Sequence, residues 1–153
     1  MTYEELQKEA AQQGIDIYEM PFSPRIKGLY SNNTIAINKL IPTIIEKVCV
    51  LSEELGHHHK TSGNILDQTK IENRQQENRA RSWAYEKLVP LQSIIRAHKQ
   101  GIKNRFELAD YLGVTEDFLE SAINRYIEKY GTHLTVGTYT LVFEPLGVLE
   151  LFE

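Results

Sequence analysis

The sequence predicts an α+β fold: a small antiparallel sheet near the N-terminus, two long helices after it, and a helical C-terminal extension ending in a short β-hairpin. Two observations carry this expectation. Short alternating runs bounded by Gly, Ser and Asn occur up to Asn38, and apolar residues recur at helical spacing from Pro42 onward. The length of 153 residues allows one domain with a real hydrophobic core, at roughly 150 residues per domain. With 41% hydrophobic and 25% charged residues, the chain is neither disordered, collagenous nor coiled coil. Its one cysteine, Cys49, excludes an internal disulfide and a Cys-based zinc finger.

Thr2 followed by Glu5 has the form of a capping box and opens a first helix, which Gly14 closes. The run IDIYEM alternates as a strand. Lys27–Tyr30 and Thr34–Asn38 form a second strand pair, joined by the turn-forming Ser31, Asn32 and Asn33. From Pro42 to His59 the residues Ile44, Ile45, Val48, Leu51 and Leu55 define one arc of a helix, while Glu53 and His57, four apart, share another side. A further helix runs from about Glu72 to Leu88 with Ala80, Trp83, Ala84 and Leu88 inward, and Pro90 interrupts the pattern before it resumes at Ser93–Lys99. Residues 105–131 read as helix, a turn at Gly113, and a helix capped by Thr115; the last stretch alternates around Pro145 and Gly147 as a hairpin.

Charge is uneven along the chain. Residues 1–69 carry a net −3, residues 70–105 carry +6, and residues 106–153 carry −7. A basic middle between acidic flanks suits either an anionic partner or mutual neutralisation across the fold. No apolar run approaches the roughly 18 residues of a membrane span, and MTYEELQKEA is unlike a signal peptide, so a cytoplasmic location is expected.

The stretch Ser52–His59 carries the chemistry. In the zinc-hydrolase pattern H-E-x-x-H, one helix presents two ligands four apart and an intervening Glu that acts on water. Here Glu53 stands at the first ligand position, Glu54 at the catalytic one and His57 at the second. Solvated helices also carry such runs, and His57, His58 and His59 equally suit a helix C-terminus, where the macrodipole favours cations. Glu77 shares the inward stripe of the next helix with Ala80 and Ala84. An inward carboxylate needs a partner, which a bound cation, Arg81 or Arg74 would each supply.

The succession of these segments resembles the ImmA/IrrE metallopeptidases encoded by prophages and mobile elements, over roughly residues 15–130. The matching pieces are Gly28-Leu29-Tyr30, Ile35-Ala36-Ile37-Asn38, Glu54-Leu55-Gly56-His57, and Glu77-Asn78-Arg79-Ala80 with Leu88-Val89-Pro90. The resemblance implies a zincin-like peptidase domain over residues 1–100, a helix-turn-helix-like extension over 101–153 packed on the same core, and zinc-dependent cleavage of a phage-type or mobile-element repressor. It casts Glu54 as general base, and Glu53, His57 and Glu77 as metal ligands. Glu53 departs from the family's first histidine, which makes the site less positive and favours manganese or another hard ion beside zinc. If Glu53 does not bind, Asp67, His58 or His59 is the substitute; Asp67 equally suits a turn or helix cap. The strand Thr34–Asn38, with Ile35 and Ile37, is the candidate edge for an extended protein substrate, or simply an edge strand.

Two other functions compete with peptidase activity. One is a non-catalytic relative acting as a protein-binding regulator. The other is a DNA-binding regulator that uses the helix-turn-helix rhythm of LADYLGVTEDFLESAINRY. Residues 103–130 hold four Lys/Arg against six Asp/Glu, so direct nucleic-acid binding is not expected.

Overall fold

The computed structural model describes residues 1–60 and 71–151. Helix α1 (Tyr3–Gln12) starts where the capping box places it: the Thr2 hydroxyl accepts the Glu5 backbone N–H at 3.1 Å. Gly14, at φ +75°, lets the chain leave the helix while Ile15 N–H returns to the Ala10 carbonyl. Three strands follow: β1 (Asp16–Met20), β2 (Gly28–Ser31) and β3 (Thr34–Asn38). Asn32 and Asn33 both take positive φ in the β2–β3 turn, a conformation their short polar side chains tolerate.

The β2–β3 hairpin is antiparallel as expected, with Leu29 opposite Ala36. Strand β1 instead joins β3 in parallel, Ile17 opposite Ile35, so the sheet order is β1-β3-β2. The crossover between β1 and β2 is held by Asn38, which is 3% exposed. Its Nδ2 donates to the Ile26 carbonyl at 2.8 Å and the Ser23 carbonyl at 3.2 Å, and its Oδ1 accepts the Leu40 N–H at 3.0 Å.

Helix α2 (Ile44–Lys60) begins just after Pro42, because the Thr43 hydroxyl caps the Glu46 N–H at 3.1 Å. Val48, Leu51 and Leu55 are buried, while Ile44 and Ile45 stay exposed in the first turn. Helix α3 (Ile71–Leu88) buries Ala80, Ala84 and Leu88 against α2. Trp83, expected inward, is half-buried and stacks on His59 instead. These elements form one unit, Met1–Leu88.

The second unit, Val89–Glu153, holds α4 (Leu91–Lys99), α5 (Arg105–Leu112) and α6 (Glu116–Tyr130). Pro90 ends up as the N-cap of α4, a position that needs no backbone N–H. Asn104 and Thr115 cap α5 and α6, and Gly113, at φ +72°, makes the turn between them. The C-terminal hairpin is β5 (Tyr139–Phe143) with β6 (Leu146–Glu150). Strand β4 (His133–Val136), which periodicity did not show, extends it to three antiparallel strands. Tyr126 donates to the Val89 carbonyl at 2.7 Å beside the buried Leu119, Ile123, Leu141 and Phe143.

Candidate active site

The site is set by a close helix crossing. Gly56 of α2 lies so near α3 that a Cβ there would collide with the Ala80 carbonyl oxygen. Because the backbones approach this closely, His57, the next residue on α2, reaches Glu77, one turn before Ala80 on α3. His57 Nε2 and Glu77 Oε2 are 3.3 Å apart, with side chains only 8% and 12% exposed. The other carboxylate oxygen, Glu77 Oε1, is 3.4 Å from Nε of Arg81, four residues along α3, whose side chain is 47% exposed. Sequence spacing left Arg74 and Arg81 as equal candidates; the structure selects Arg81.

Burial dominates the electrostatics. It pushes the Glu54 carboxyl up to about 7, helped by the nearby Glu53 and Glu77 and opposed by His57. Glu53 is raised too, chiefly by burial, with Arg81 the foremost charge pulling it back down. Burial disfavours the His57 cation, but its hydrogen bond to Glu77 and the charges of Glu54, Glu77 and Glu53 outweigh that, so its pKa rises. Glu77 is held below the usual carboxylate range by the His57 hydrogen bond first, against a desolvation penalty, and then by the His57 and Arg81 charges.

Strand β2 supplies the opposite wall. A Cβ on Gly28 would lie 2.9 Å from Val50 Cγ1 and 3.1 Å from Glu54 Oε1, so any other residue here would push the Val50 and Glu54 side chains aside. Tyr30, two residues on, has its hydroxyl 2.8 Å from His58 Nδ1. The His59 ring stacks on Trp83 with centroids 4.6 Å apart. His58 and His59 are therefore engaged by aromatic partners on β2 and α3.

Of the residues expected at a metal, the structure brings His57 and Glu77 together. Glu53, one turn before His57, is coupled to both through charge. Asp67 lies outside the described residues. Among the described residues, no three His, Cys, Asp or Glu side chains are gathered as a finished metal-holding group. The donor chemistry nevertheless suits a divalent ion. An imidazole nitrogen and a carboxylate oxygen already meet, and two further half-buried carboxyls on the preceding turn are pushed toward their neutral forms chiefly by desolvation, a cost that a bound cation would offset.

The expected substrate edge needs correction. Strand β3 is the middle strand, paired on both sides, and Ile35 and Ile37 are fully buried core residues. Alternation revealed the strand's two faces but not its neighbours, and β1 took the edge that had been assigned to substrate. Sequence reasoning also missed the close approaches at Gly28 and Gly56, although an isolated glycine in a strand or helix pattern is the signal for them.

The site thus presents a His–carboxylate pair across two crossing helices, with two more carboxyls on the turn before the histidine. Residues 10–124 match the family model described as the IrrE N-terminal-like domain, a peptidase family, and the chain belongs to that family. Membership supports a metallopeptidase-type function. No curated protein and no solved structure matches the chain significantly. Among the described residues, no helix is long and apolar enough to cross a membrane.

Proposed function

We propose that this chain is a metal-dependent endopeptidase, acting in the cytoplasm on a repressor of the phage or mobile-element type. His57 and Glu77 hold the ion with Glu53 as third donor, and Glu54 is the general base. The observation that carries this reading is the buried His57–Glu77 pair at 3.3 Å, with Glu54 three residues before His57, in a chain of this family. When bound, the metal supplies Lewis acidity to the scissile carbonyl and to water.

The remaining work falls to the protein's own groups. Glu54, in its buried position, takes a proton at its carboxylate and returns it to the leaving amine. Strand β2, paired among the described residues only with β3, offers its backbone to an extended substrate segment, and Gly28 keeps that strand against Glu54. With two carboxylates and one imidazole, the donor set is oxygen-rich, which admits manganese as well as zinc.

Elemental analysis of protein purified without a metal-affinity column tests the cofactor, with about one divalent ion per chain expected. Glu54→Gln should abolish cleavage of a co-expressed helix-turn-helix repressor while leaving metal content intact. Metal-free, folded protein that leaves the repressor whole would establish the non-catalytic regulator instead. Direct DNA binding has little support, because α6 exposes Glu116, Asp117 and Glu120 where phosphates would approach.

A further inference from the structure

We propose that Arg81 is the resident counter-cation of this site: it pairs with Glu77 and, as a fixed positive charge beside a metal ligand, weakens divalent-ion binding. The inference rests on the metallopeptidase reading above. Its basis is the double engagement of Glu77, with Oε2 facing His57 Nε2 at 3.3 Å and Oε1 facing Arg81 Nε at 3.4 Å. An ion that takes Oε2 beside His57 therefore binds a carboxylate whose other oxygen faces the guanidinium, and shares the site with a like charge.

The charge inventory explains why such a group is present. Glu53 and Glu54 lie on the turn before His57 and Glu77 meets it from α3, so acids outnumber the one imidazole. Arg81 stands four residues after Glu77 on the same helix face. A guanidinium stays protonated at any relevant pH, so this compensation is permanent. Because the Arg81 side chain is 47% exposed, it is able to release Glu77 into a metal site while keeping its own charge in contact with water. A fully buried arginine would have no such freedom.

Calorimetric titration of Zn²⁺ and Mn²⁺ into the full chain, stripped with EDTA and dialysed, tests the proposal. Wild type, Arg81→Gln, Arg81→Lys and Glu77→Gln would be compared. Arg81→Gln should bind on the order of tenfold tighter, because removing a like charge near the ion lowers the Coulombic cost of binding it. Arg81→Lys, which keeps the charge, should stay near wild type, and Glu77→Gln should lose binding. Unchanged or weaker binding by Arg81→Gln, with wild-type binding intact, overturns the proposal and leaves the peptidase reading standing. Binding by none of the proteins removes both. A second readout uses no metal: in EDTA, Arg81→Gln should melt below wild type because Glu77 loses its cation. It should then gain more from added Zn²⁺. An Arg81→Gln protein that melts like wild type in both conditions also overturns the proposal.

Discussion

Tyr3 and Asn38 show how differently two buried polar side chains affect stability. Tyr3 is 9% exposed, and its hydroxyl has no hydrogen-bond partner among the described residues. Burial, and secondarily the Glu19 charge, push its phenol up to about 12. A raised phenol favours the fold while it is neutral, so its contribution is complete below pH 10 and disappears as pH climbs toward 12. Tyr3→Phe should therefore flatten the alkaline loss of stability in denaturant melts at pH 7 and 11, and at pH 7 should be neutral or stabilising by about 1 kcal/mol. Asn38 is the opposite case, since its amide holds the β1–β2 crossover through several backbone groups. Asn38→Ala should cost about 2–3 kcal/mol by urea denaturation. Asn38→Asp should do no better, because a carboxylate would face the Ser23 and Ile26 carbonyls that the amide now serves as donor. The asparagine of Ile35-Ala36-Ile37-Asn38 was legible as part of a motif. Its partners were not, because they lie 12–16 residues away in a segment without periodicity.

Between elements, the crossing of α2 and α3 decides whether the site exists. Intrinsic propensity alone predicts that Gly56→Ala stabilises α2 by about 1 kcal/mol. Contact with the Ala80 carbonyl predicts the reverse, because an added methyl in a packed interface costs about 1–3 kcal/mol and here meets backbone that has no rotamer to change. The second effect should win. Gly56→Ala should lower the urea midpoint and separate His57 from Glu77, read as loss of bound metal. At Gly28 the obstacles are the side chains of Val50 and Glu54, which are able to shift. Gly28→Ala should therefore cost less stability but displace the Glu54 carboxyl, lowering cleavage more than folding. Helical spacing placed Glu53 and His57 on one side of α2 and Glu77 on the inward stripe of α3. Spacing within a helix says nothing of how closely two helices approach, so the crossing itself was not readable.

For the molecule as a whole, the peptidase reading predicts a local response to metal removal. In EDTA, hydrogen exchange should accelerate in α2 and α3, which the ion would tie together, and stay unchanged in α5 and α6 of the second unit. The second unit carries the helix-turn-helix rhythm but exposes Glu116, Asp117 and Glu120 on α6, so duplex DNA should show no salt-dependent mobility shift with the purified chain. The α+β class, the caps at Thr2 and Thr115, the turns at Gly14 and Gly113, the family and the short list of chemically able residues were readable along the chain, because capping, periodicity and glycine punctuation are local properties. Packing made β3 the central strand, paired Arg81 rather than Arg74 with Glu77, and turned His58 and His59 to Tyr30 and Trp83. Each of these depends on contacts between segments distant along the chain or on side-chain geometry, which packing alone settles.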